Sequence, residues 1–251
     1  MKKIFLVLTI TVLSLSIFQA YAEEITNSKT AKAEKKETVY DANTSVKIMT
    51  DREIQNHITE IGFKLLNANK VDVRMAFIYN PENKKIKKDP TLTKRQIVVY
   101  DDTLKYAKDD AELAAYLSRL ICKTAESYNS VFNGSLSSLQ VKSAPKKYEI
   151  FFDKRAVDFL VTAGYNPIAL ITFLHKSEPQ KRFDKISAHN LTSKRLAYIY
   201  EYIYRKYPSF LVNNEYINDE TYQHFLLSSI ENRRKLYKKI TTKSKGKVDY
   251  E

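Results

Sequence analysis

Asp109-Asp110-Ala111-Glu112-Leu113-Ala114-Ala115-Tyr116-Leu117-Ser118-Arg119-Leu120-Ile121-Cys122-Lys123 is the stretch whose reading decides the fold. Leu113, Leu117, Leu120, Ile121 and then Thr124 recur at helical spacing, so a helix over about 110–126 buries one face. Asp109, followed three residues later by Glu112, supplies an acidic N-terminal cap. Arg119 and Lys123 fall on the opposite face with Glu112 and Glu126, which one reading makes a plain solvated face.

Working outward, the same periodicity recurs on both sides. Upstream, Thr50 or Asp51 can cap a helix running to Asn67, whose apolar set is Ile54, Ile58, Ile61 and Leu65. Val71 to Tyr79 alternates as a half-buried strand, and Arg95-Gln96-Ile97-Val98-Val99-Tyr100 is a second strand candidate. Residues 80–94 between them are long for a hairpin turn and rich in lysine, with Pro81 and Pro90. Downstream, Tyr128 to Ala144 reads as a Ser- and Asn-rich loop. A helix over about 145–163 follows, stopped by Gly164, and Asn166 with Pro167 opens the next. Leu191 to Tyr207 is helical, with Leu196, Ile199, Tyr200 and Ile203 as its buried stripe and Tyr198, Tyr202 and Tyr204 as an aromatic flank. Glu220 to about Ile240 makes a last helix. The fold class is therefore α+β and mostly helical, with a small β-hairpin or sheet.

The start of the chain has a different character. Lys2 and Lys3, an apolar run from Ile4 to Phe18 and Ala20-Tyr21-Ala22 form the three parts of a secretory signal over residues 1–22. The apolar run is too short and too often interrupted by Thr and Ser to span a bilayer. Residues 23–45 carry almost no apolar side chains and read as a flexible leader. One folded domain then occupies 46–240, and 241–251 forms a basic tail. The expected location is outside the cytoplasm, periplasmic or extracellular, with no membrane span once the signal is cleaved.

The 251 residues carry a formal charge of +13, of which Lys2 and Lys3 contribute two. Excess positive charge favours anionic partners, here anionic lipid or a cell-wall polymer, or an acidic protein. No nucleic-acid motif accompanies it, and none is expected of an exported chain. Cys122 is the single cysteine, which excludes an intrachain disulfide. A Gly-rich phosphate loop, a nucleophile elbow and a C-x-x-C pair are all missing.

The chemistry lies in four spaced segments. In H-E-x-x-H helices two imidazoles at i and i+4 hold zinc beside a glutamate base. Here those three positions read Arg119, Leu120 and Lys123. Further on come Glu149-Ile150-Phe151-Phe152-Asp153, an E-x-x-x-D pair, and Ala163-Gly164-Tyr165-Asn166-Pro167, an A-G-Y-x-P segment. His189-Asn190-Leu191-Thr192-Ser193-Lys194-Arg195 follows as H-P-x-x-x-x-R with Asn190 in place of proline. In order and spacing these segments, with the leading helix and the strand pair, resemble the forty-eighth metallopeptidase family, that of the CAAX prenyl proteases, HtpX and BepA-like chaperone-proteases, over roughly residues 47–210.

The resemblance implies a metallopeptidase-like helical domain in which Glu149 matches the glutamate ligand and Asp153 the aspartate that orients a ligand histidine. It implies a cleft lined by His189 and Arg195, and an edge strand able to pair with an extended peptide. It also implies zinc, whose two histidines and base are lost. Arginine stays protonated and cannot ligate, leucine is no base, and lysine ligates only when deprotonated. The expected protein is thus an exported, non-catalytic member without cofactor that binds an envelope protein or peptide. Alternatives are a metal-dependent peptidase with an atypical site built on Glu149 and His189, and a basic module holding anionic envelope polymers. One sharper expectation follows: Arg119 and Lys123 take the places of the imidazoles and face Glu149 and Asp153, so fixed cations stand in for zinc.

Overall fold

Thr50 starts the well-packed part of the chain by closing a capping box: its backbone N–H donates to Glu53 Oε2 at 2.8 Å and its Oγ1 accepts from Glu53 N at 3.3 Å. Two of the orphan donors at a helix start are satisfied this way, which fixes where α1 (Asp51–Ala68) begins. The computed structural model describes residues 38–41, 46–82, 95–132, 145–178, 180 and 190–242. The expected signal segment, His189 and the tail beyond Thr242 lie outside the described residues. Contacts divide the chain at Thr38, and the residues from Val39 onward form one unit.

Before α1, two short strands pair, β1 (Thr38–Asp41) and β2 (Val46–Met49). The first falls inside the segment read as a leader. Thr38-Val39-Tyr40 is a β-branched and aromatic run, a local β preference inside an otherwise polar stretch. On α1, Ile54, Ile58, Ile61 and Leu65 are all buried, as their spacing requires.

β3 (Ala76–Asn80) and β4 (Gln96–Tyr100) form the second pair, and they run parallel, Ala76 opposite Gln96 and Asn80 opposite Tyr100. The hairpin expected from adjacency is thereby replaced by a crossover. A parallel pair needs a connection of a dozen or more residues, and the length of 81–95 reflects that need. Strand β3 is also shorter than expected. Lys70 adopts a left-handed φ of 51°, and Val71 N donates to Leu66 O at 3.0 Å, so the residues after α1 close the helix before the strand starts. Phe77, Tyr79, Ile97 and Val99 point inward in strict alternation.

Leu104 ends a single turn, α2 (Asp101–Leu104), and α3 (Asp110–Phe132) follows. Helix α3 runs past the expected end near Glu126 and takes in Tyr128. The Ser and Asn residues there cost only tenths of a kcal/mol each as helix formers, roughly 0.5 relative to Ala, and Val131 and Phe132 continue the chain as apolar residues. Helix α4 (Pro145–Thr162) ends in a Schellman turn: Tyr165 N donates to Leu160 O, Gly164 N donates to Val161 O, and Gly164 takes φ 79°. Asn166 Oδ1 accepts Ile168 N at 3.0 Å and opens the turn leading into α5 (Ala169–Ser177).

After α6 (Thr192–Lys206) and the short α7 (Ser209–Val212), the expected long last helix is two, α8 (Glu220–Ser228) and α9 (Ile230–Thr242). Ser229 makes the break. Its buried hydroxyl donates to Phe225 O at 2.7 Å and accepts from Arg233 Nε at 3.1 Å, an alternative to simple helical continuation. Helix α3 packs on α1, α4 and α5, helix α6 on α4, α5 and α9, and β3 lies on α1. Ala114, Ala115, Ala156 and Ala169 are fully buried, and these small residues let α3, α4 and α5 approach closely. Among the described residues no helix is long and apolar enough to cross a membrane.

Candidate functional site

Arg195, on the first turn of α6, is 1 % exposed and is the largest fully buried side chain among the described residues. No such charge survives in a core without partners, because desolvating an ion costs several kcal/mol, about 20 in the idealised limit. Its partners come from α4 and from the segment just past α5. Nε donates to Asp153 Oδ2 at 2.8 Å and Nη2 to Asp153 Oδ1 at 2.9 Å, a bidentate pair with α4. Nη1 donates to Glu178 Oε2, just past α5, and lies 3.4 Å from Glu149 Oε1.

Arg119, from the middle of α3, enters the same cluster. Its Nε donates to Asp153 Oδ1 at 2.8 Å and its Nη1 to Glu178 Oε1 at 2.8 Å. Two guanidiniums thus share Asp153 and Glu178, and three carboxylates face two fixed cations. Burial works against the Arg195 charge. Asp153 first, then Glu178 and Glu149, more than offset it and hold the guanidinium above its ordinary range. Arg119 is a quarter exposed and Glu178 a third, so solvent reaches the cluster from the Glu178 side while Asp153 stays at 1 %.

The fourth face is closed by Asn190. Glu149 Oε2 accepts its backbone N–H at 2.8 Å and its Nδ2 at 3.0 Å, and the same amide nitrogen donates to Lys146 O at 2.7 Å. A proline at position 190 would have no N–H to give. The departure from H-P-x-x-x-x-R therefore supplies the donors that engage the glutamate matched to a ligand.

The expected replacement of zinc by Arg119 and Lys123 needs correcting in its particulars. Arg119 pairs with Asp153 as expected and with Glu178 besides, and Arg195, which the expectation left out, is a further cation of the cluster. Lys123 is half-buried on the following turn of α3, and Leu120 is half-buried beside it. Glu112 also departs from the solvated face assigned to it. It is fully buried, accepting Thr172 Oγ1 at 2.5 Å, Lys176 Nζ at 2.5 Å and Lys108 N at 2.6 Å, because α5 packs over the first turn of α3. Glu178 carried no signal in the sequence, since it sits in an irregular segment outside every motif. Arg195 carried a weak one as the last residue of its motif, where burial is invisible.

The donor set does not suit a zinc ion. Guanidiniums cannot ligate, and the carboxylates that could are already spanned by arginines and an asparagine. Among the described residues no group of three His, Cys, Asp or Glu side chains is placed to hold a metal.

The strand edge is likewise engaged. Gln55 Nε2 donates to Phe77 O at 2.9 Å and Gln55 Oε1 accepts Tyr79 N at 2.7 Å, so α1 occupies part of the β3 edge to which an extended peptide would add. No family model matches this chain, and neither curated proteins nor solved structures give a match.

Proposed function

We propose that this is an exported, non-catalytic protein of metallopeptidase-like design that acts in the cell envelope by binding another protein. The observation that carries this reading is the Arg195–Asp153–Arg119 cluster at the place where the motif order would put the metal. An ion-pair lock there satisfies the matched carboxylates and ties α3, α4, α5 and α6 together, which holds a scaffold rigid and offers no open ligand position for water activation. Asn190 supports it, because the change from the motif's proline adds donors to Glu149 in the same chain that lacks the histidines.

The test is the metal content of protein exported under its own signal segment and purified without added metal, together with its thermal midpoint in a strong chelator. The reading requires well under one zinc per chain and an unchanged midpoint. One tightly held zinc per chain, lost with Glu149→Gln and accompanied by a lowered midpoint, would return the chain to the atypical peptidases.

A further inference from the structure

Helices α6 and α9 pack through Tyr198, Leu236 and Ile240, with Ile150 of α4 completing that contact. Beside it they leave a groove of about 430 Å³ lined by Tyr200, Glu201, Tyr204, Ile230, Arg233, Arg234 and Tyr237. Ile230, Arg233, Arg234 and Tyr237 stand at i, i+3, i+4 and i+7, so α9 turns one continuous stripe into the groove while a different stripe enters the core. Tyr204, Ile230 and Tyr237 are each more than half exposed and make up three of the eight large apolar side chains left in solvent among the described residues. Concentrating apolar surface in one concavity is what a contact site does and scattered exposure does not.

We infer that this groove binds an acidic polypeptide segment that carries an aromatic or aliphatic anchor side chain. Charge selects the sign of the partner. Over its whole length α9 carries five cations, Arg233, Arg234, Lys235, Lys238 and Lys239, against the single carboxylate Glu231. The one carboxylate in the lining, Glu201, is already taken by Arg205 Nε at 2.7 Å.

The kind of cation selects a carboxylate fork. Lysines outnumber arginines 32 to 10 in the chain, yet both cations in the lining are arginine, the side chain that pairs bidentately and stacks on rings. Arg233 is held in place over the Tyr200 ring at 5.0 Å, its Nη2 donating to Leu226 O at 2.8 Å. Arg234 has no hydrogen bond or ion pair among the described residues and remains free to meet an incoming carboxylate.

Tyr and Arg together are the residues that dominate binding energy at protein contacts. A concavity of this volume, in the range of small-molecule pockets, seats one or two side chains. The inference rests on a different part of the surface from the arginine cluster and stands whether or not that cluster replaces a metal.

The experiment titrates the whole chain into a short fluorescent peptide of aspartates and glutamates around one phenylalanine and reads polarisation. Companion titrations use the same peptide with alanine for phenylalanine, and phosphatidylglycerol vesicles. Expected are saturable binding of the phenylalanine peptide, weaker binding of the alanine peptide, and a loss of about tenfold or more on Arg234→Glu or on Tyr237→Ala. Both side chains are exposed, so the variants keep the circular dichroism and urea midpoint of the parent. Binding that is indifferent to both substitutions overturns the inference. So does a surface that takes up the vesicles through Arg234 and Tyr237 but leaves the peptide free.

Discussion

Replacing Arg195 with alanine is the most revealing single change to the fold. It leaves Asp153, 1 % exposed, with Arg119 as its remaining ion-pair partner among the described residues, and removes a cation 3.4 Å from Glu149, which keeps the two Asn190 donors. Breaking a buried ion pair by deleting one partner typically costs about 3–5 kcal/mol. Because Arg119 and Asn190 survive, the expected loss lies at the lower end, about 3 kcal/mol. For a domain with a urea slope of about 2 kcal/mol per molar, the midpoint falls by roughly 1.5 M.

Arg195→Lys should recover only part of the loss, since a single ammonium cannot span both Asp153 oxygens and also reach Glu178. A double-mutant cycle with Asp153→Ala isolates the pair and should return a coupling of about 2 kcal/mol. The control is Lys235→Ala, which breaks an exposed i, i+4 pair with Glu231 and should cost about 0.5 kcal/mol or less. Urea unfolding followed by far-ultraviolet circular dichroism suits a chain with no tryptophan. A cost below about 1 kcal/mol for Arg195→Ala, or additivity within about 0.5 kcal/mol in the cycle, refutes the lock.

Three further outcomes are expected. Gly62→Ala should destabilise by about 1–2 kcal/mol despite alanine's better helix propensity, because its Cβ would sit 2.5 Å from the Phe77 ring; urea midpoints that rise would contradict that close approach. Cys122 is buried and its thiol pushed up by desolvation, so Ellman's reagent should label it only as the chain unfolds, and fast stoichiometric labelling of native protein would contradict its burial. Burial raises the Tyr222 phenol to about 12 and also lifts Tyr165 and Tyr198. Unfolded tyrosine titrates near ~10, so stability present below that value should be lost as pH rises through about 12; tyrosinate absorbance that develops with no fall in urea midpoint would count against it.

Much of this was legible wherever one residue type has one local use. The stripe Ile54, Ile58, Ile61 and Leu65 and the stop at Gly164 each announce a helix boundary or face without help from the rest of the chain. The parallel pairing of β3 and β4 was not legible, because alternation says which residues face inward and nothing about strand direction. Glu112 and Arg119 share a face on a helical projection, yet one is sealed under α5 and the other reaches across to α4. A charged residue's partner is decided by which helix packs over it, a long-range fact. Glu178, in no motif and no regular element, is the extreme case, and the split at Ser229 depends on a side-chain hydrogen bond that periodicity does not register.

The most direct test of the central claim is hydrolysis of an unfolded protein such as casein by the purified chain, with zinc supplied. The cluster of Arg119, Asp153 and Arg195 predicts no cleavage above background at any zinc level. Chelator-sensitive cleavage that disappears in Glu149→Gln would contradict it.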